Sequence, residues 1–146
     1  MKLFSGASLI GLLATTGLAS AKGTQAPFSI SKFSAGATPH SSVGYVELTW
    51  SYSSGQNSTT CSAKPGTYQV FPSVVKTACS DPLTFFNLTK RSDGGADLEL
   101  WYQEAYAIHT ISAEQIVWTN QQSPTGTVQV YSGPQNFTVK ANYPEN

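Results

Sequence analysis

This sequence predicts an all-β fold, a compact antiparallel β-barrel or β-sandwich with one intrachain disulfide, and three observations predict it. Apolar residues recur at period two through most of the chain. Clusters of Gly, Pro, Ser, Asn and Asp break that alternation at short intervals. The two cysteines, Cys61 and Cys79, form an even pair behind an opening laid out like a secretory signal, where the simplest reading of such a pair is one crosslink.

That opening has three parts. Lys2 supplies a short positive region, residues 9–18 are mostly apolar but broken by Gly and Thr, and Ala19-Ser20-Ala21 puts small residues where a signal peptidase cuts. A bilayer span needs about 20 continuous apolar residues, and this run is shorter and interrupted. The expected division is a signal peptide, 1–21, and one all-β domain, 22–146, long enough to bury a core and secreted to the extracellular space. Without Lys2 the domain keeps seven Lys and Arg against eight Asp and Glu. It has no basic stripe to neutralise phosphates, which argues against nucleic acid, and no basic amphipathic helix for a membrane surface.

The elements follow in order. Residues 28–33 alternate apolar and polar over their first four positions. In 38–42, Pro39 holds Thr38 extended, and Ser41 and Ser42 offer hydroxyls to a turn, so His40 marks a corner. In 45–52, Val46, Leu48, Trp50 and Tyr52 share one strand face, with Glu47, Thr49 and Ser51 on the other. Turn residues 53–57 and Lys64-Pro65-Gly66 follow, and the segment 62–78, carrying Tyr68, Phe71 and Pro72, reads as a packed loop tied by the disulfide. Residues 84–88 turn Phe86 and Leu88 inward. Lys90-Arg91 leads into the turn Asp93-Gly94-Gly95. In 96–104, Leu98, Leu100 and Tyr102 point inward, and Asp97, Glu99, Trp101 and Gln103 point outward. Residues 106–112 read as a strand apolar on both faces, and 112–118 as a short helical turn started by Ser112. The turns 123–126 and 132–134 bracket 127–131 as part of a terminal hairpin, with Val128 and Val130 buried. Residues 136–140 then bury Phe137 and Val139.

Three sequons, at Asn57, Asn87 and Asn136, are expected N-glycosylation sites. Asn87 and Asn136 fall on faces the register turns outward, as a glycan requires. His40 lacks the Gly-x-Ser-x-Gly context of a serine hydrolase, and His109, within an apolar strand, is expected to be half-buried and hydrogen-bonded. A zinc site would want further Cys or His at short spacing, so no metal or cofactor is expected. Glu47 and Glu99 are the carboxylates a small glycoside hydrolase would use, but such enzymes set two carboxyls about 5–9.5 Å apart across a cleft, and outward strand faces need not meet. Trp101, a large aromatic on a polar strand face, is the leading candidate binding residue, and Tyr45 is a second. Exposed aromatics on a β face are also how a carbohydrate-binding module would hold sugars.

Several segments together, Phe28-Ser29-Ile30-Ser31-Lys32-Phe33-Ser34-Ala35, Pro39-His40-Ser41-Ser42, a strand leading to Cys61, and Tyr131-Ser132-Gly133-Pro134-Gln135-Asn136-Phe137, resemble the small secreted fungal proteins grouped with the Alternaria major allergen. The resemblance spans most of the domain in layout, with its sharp motifs confined to these stretches. It implies a secreted, non-enzymatic β-protein, an effector or elicitor that recognises a host protein or a small phenolic ligand in the apoplast. Members of that group carry more cysteines, including one that links a dimer, so the covalent dimer does not carry over to a chain with two.

Overall fold

A computed structural model describes residues 26–52, 57–123 and 125–144; the expected signal peptide, 1–21, lies outside the described residues. The chain is a sandwich of two antiparallel sheets, not a closed barrel. The first sheet holds β1 (Phe28–Ala37), β2 (Gly44–Tyr52), β3 (Asn57–Ala63), β8 (Ile116–Gln122), β9 (Thr125–Tyr131) and β10 (Phe137–Val139). Its order is β3-β2-β1-β9-β8, with β10 also on β1. The second runs β4-β5-β6-β7, from β4 (Val74–Ala78), β5 (Thr84–Lys90), β6 (Ala96–Tyr102) and β7 (Ala105–Ile111). A 3₁₀ turn (Ala113–Gln115) leads into β8, its start held by the Ser112 amide, which donates to Gln115 Oε1 (3.1 Å). Among the described residues no helix is long and apolar enough to cross a membrane.

Alternation decides which side chains meet between the sheets. Val46, Leu48, Trp50 and Tyr52 of β2 are buried against Phe86 and Leu88 of β5 and Leu98 and Leu100 of β6, in one cluster with Phe28, Ile30 and Phe33. Aromatic rings run through this layer, with Phe28 4.6 Å from Trp50, Trp50 5.2 Å from Tyr52, and Tyr52 4.2 Å from Tyr102. In β1 the alternation slips by one residue. Phe28 and Ile30 face inward at even positions, Phe33 and Ala35 at odd ones, and a bulge between Ser31 and Ser34 absorbs the difference. Lys32 takes the extra place at φ 55°. Its amide donates to Asn136 Oδ1 (3.1 Å), and that of Phe33 donates to the carbonyl of Gln135 (3.0 Å). On one side of the bulge β1 pairs with β10, on the other with β9.

Both flanks of the sandwich are tied. Cys61, on β3, and Cys79, just past β4, form the disulfide, joining the edge of one sheet to that of the other, and the Ser80 amide donates to the carbonyl of Thr60 (2.8 Å). Trp50 Nε1 donates to Cys61 Sγ (3.2 Å). On the far flank Tyr106 of β7 and Asn142 exchange two backbone hydrogen bonds (2.9 and 2.7 Å).

Several sequence expectations are corrected. The loop expected over 62–78 contains the strand β4, and Tyr68 stands exposed while Phe71 and Pro72 are buried. Of 112–118 only Ala113–Gln115 is helical, and the rest begins β8. β9 forms its hairpin with β8, whereas β10 leaves for β1, because the turn at 132–134 carries the chain along β1 and not back along β9. Val130, across from Gly36, is only half-buried. β7 is apolar on both faces in composition, yet only Ala105, Ala107 and Ile111 are buried; Tyr106 and Ile108 are exposed.

Candidate functional site

The outer face of the four-stranded sheet carries the candidate site. β6 turns Leu98 and Leu100 into the core, so Asp97, Glu99 and Trp101 must point away from it. Register places Phe85 of β5 and Tyr106 of β7 directly opposite Trp101 on either side, which makes an aromatic row across three strands. One position along, Asn87, Glu99 and Ile108 form a parallel row, and beyond it stand Thr89, Asp97 and Thr110. Tyr106 is 44 % exposed and Ile108 48 %, so two large apolar side chains face solvent beside the half-buried Trp101. Lys76, from β4, extends its ammonium over the Trp101 ring at 4.4 Å and lies 5.3 Å from the centre of Phe85, where the negative face of each ring attracts it.

Polar contacts fix the rest of the face. Asn87 Nδ2 donates to Glu99 Oε1 (3.3 Å) and to Thr89 Oγ1 (3.1 Å). Arg91 closes the β5–β6 turn. It pairs with Asp97 (2.7 Å) and Asp93 (3.1 Å) and donates to the carbonyls of Ala96 and Ile111, and these carboxylates hold its guanidinium even more firmly charged than usual.

Trp101 therefore points outward, as its register predicts, half-buried with the Lys76 ammonium over its ring. Tyr45 does not join it. Tyr45 lies half-buried on the outer face of the six-stranded sheet, across from Gly36. A Cβ at Gly36 would stand 3.0 Å from the Tyr45 hydroxyl and 2.8 Å from Val130, so the absent side chain makes room there. Glu47 is also on that face and Glu99 on the opposite one, with both sheets between them, so the two carboxylates do not flank a common cleft. Asn57 and Asn136 are exposed.

The two histidines differ. His40 sits at the corner between β1 and β2 with φ 53°, exposed, and Ser41 Oγ accepts from the Val43 amide (3.1 Å), the hydroxyl-capped turn its neighbours predict. His109 is half-buried and faces inward, stacked on Phe137 at 3.9 Å. The hydrogen bond expected of it is missing at Nε2, which is buried without a partner among the described residues, and burial lowers its pKa. Among the described residues no cluster of three or more His, Cys, Asp or Glu could hold a metal ion.

Sequence reasoning missed Phe85, Tyr106 and Lys76. Tyr106 was within reach, because a two-residue turn at Gln103-Glu104 between two strands pairs Trp101 with it. Lys76 was not, because its strand was read as loop. In comparisons with known proteins, the chain matches no family model, no curated protein and no solved structure.

Proposed function

We propose that the chain is a secreted, non-enzymatic binding protein of the effector or elicitor type. On this reading it recognises a host extracellular protein or a small phenolic ligand through the outer face of the four-stranded sheet. The observation that carries the reading is the row Phe85-Trp101-Tyr106, with Lys76 at one end and the exposed Ile108 beside Tyr106. Contiguous apolar surface rimmed by polar groups marks interaction sites, and Trp and Tyr dominate binding hot spots. The test is a pull-down from plant apoplastic fluid with protein made without N-glycans, wild type and Tyr106→Ala, whose exposed side chain contributes little to the core. Capture by the wild type and loss with Tyr106→Ala supports the reading; equal capture retires this face.

A second reading is carbohydrate binding, favoured by aromatic rings standing in direct cross-strand register with Asn87 and Glu99 alongside to hydrogen-bond hydroxyls. Binding on a glycan array that Tyr106→Ala abolishes would select it over protein recognition.

A further inference from the structure

We infer that a glycan attached to Asn87 folds back on the Phe85-Trp101-Tyr106 row and covers it, so that only molecules with an empty sequon present the row to a partner. The gating half of this inference rests on the binding role proposed above; the glycan seat does not.

The argument starts from register. Asn87-Leu88-Thr89 lies within β5 with Leu88 buried, so Asn87 and Thr89 share the outer face with Phe85. Phe85 stands two residues before Asn87, about 7 Å along the strand, and Trp101 is the diagonal neighbour of Asn87 on β6, about 7–8 Å away. A pyranose ring is about as wide as the strand spacing of about 4.8 Å, so the first two sugars span that distance. One face of such a ring presents axial C–H bonds, and these pack on the negative faces of aromatic rings for the same electrostatic reason that Lys76 does. Neither of the other sequons has this setting. Asn57 lies opposite Tyr52, whose ring is buried in the core, and Asn136 lies in the exposed segment after the 132–134 turn, its Oδ1 engaged by the Lys32 amide.

The chemistry at Nδ2 fixes the direction. Modification joins Asn87 Nδ2 to the anomeric carbon of an N-acetylglucosamine. The bond that breaks joins that carbon to the diphosphate of a lipid-linked oligosaccharide donor; the lipid diphosphate leaves and Nδ2 loses one proton. Nδ2 now donates to both Thr89 and Glu99, and with one hydrogen left it keeps one of these bonds. Keeping the local bond to Thr89 puts the sugar where the bond to Glu99 now runs, across the sheet toward β6. Lys76, a flexible side chain now over Trp101, is what the glycan displaces.

The experiment uses full-length protein secreted from a eukaryotic host, with Asn87 occupancy read by peptide mass spectrometry and tryptophan oxidation mapped by radical footprinting. Thr89→Ala supplies the unoccupied form while retaining the Asn87 amide; should it fail to be secreted, enzymatic release of the whole glycan from folded wild type supplies it. Trp118, 55 % exposed, and Trp50, fully buried, are internal controls. The expected result is an occupied sequon, Trp101 oxidised several-fold more slowly in the occupied form, and both controls unchanged. An empty sequon at Asn87, or equal oxidation of Trp101 in both forms, overturns the glycan seat. Protection of Trp101 with greater capture from apoplastic fluid by the unoccupied form supports the gating as well. Protection with no capture by either form retires the binding role and leaves the seat standing.

Discussion

Removing the disulfide from its two ends should have unequal effects. Cys61 and Cys79 are separated by 18 residues, and opening a loop of that length costs about 3 kcal/mol in the chain-entropy model. Cys79→Ser should lose about that much, because Cys79 is only half-buried and Cys61 Sγ stays in place to accept from Trp50 Nε1. Cys61→Ala loses the same crosslink and also the acceptor, leaving an indole N–H at a fully buried residue. An orphaned buried donor costs about 1–3 kcal/mol, and because sulfur is a weak acceptor the lower part applies, for a total of about 4–5 kcal/mol. The two variants share an uncrosslinked unfolded chain, so the difference between them reads the native state alone. Urea unfolding measures it, with the variants kept in reducing buffer and compared with the oxidised wild type, and with a slope of about 2 kcal/mol/M the two variants' midpoints should lie about 0.5–1 M apart. Coincident midpoints would refute the role of the Trp50–Cys61 contact, and a cost below about 1 kcal/mol for Cys79→Ser would refute the loop-entropy argument.

Trp101→Ala should cost about 1–2 kcal/mol in the same assay, from cross-strand aromatic pairs and the lost Lys76 contact, not the about 3–5 kcal/mol of an enclosed tryptophan. Tyr52 and Asp81, joined by a hydrogen bond, should give the wild type two pH limits, of which Tyr52→Phe removes the alkaline one and weakens the acid one. Burial and the Asp81 bond push the Tyr52 hydroxyl from 10.0 up to about 12, so its share of stability is complete below pH 10 and lost as pH rises toward 12. The same bond, with the Leu83 amide, holds Asp81 below its ordinary 3.8, so that share is complete above pH 3.8 and lost on further acidification; melting temperature against pH measures both. His109 titrates below its ordinary 6.5 through burial. The unfolded chain then binds its proton more readily, and stability falls as pH drops below 6.5. His109→Phe should flatten that slope while keeping the stack on Phe137, and an unchanged acid slope would show that another group is responsible.

What could be read from the sequence follows from how each strand is buried. β2, β5 and β6 carry an inward row of large apolar residues, and their faces, including the outward Trp101, are legible from alternation alone. β3 buries only Thr59 and Cys61 among polar neighbours, so its alternation is too weak to mark an edge strand. β4 is broken by a register shift between Val74 and Thr77, which destroys the period that would reveal it. β8 has one buried residue, Ile116, so it carries no inward apolar row to be read. In β7 the site and the core are equally apolar, so composition cannot tell Tyr106 and Ile108, which face solvent, from Ala107 and Ile111, which do not. The aromatic row needs three strands in register, and only its middle member is visible in one.

The position of β1 also governs when this chain can fold. The second sheet is a meander in which each strand pairs with its sequence neighbour, so it can zip from local turns as synthesis proceeds. The first sheet cannot, because Phe28 pairs with Val139 and Gly36 with Val130, across most of the chain. Closing such distant contacts is slow, since the loop entropy is lost before the contacts reward it. Phe28, Ile30 and Phe33 must therefore wait, without their β9 and β10 neighbours, until those strands are made. During that interval the nascent protein presents an aromatic, unpaired strand edge, the kind of surface that associates with other chains.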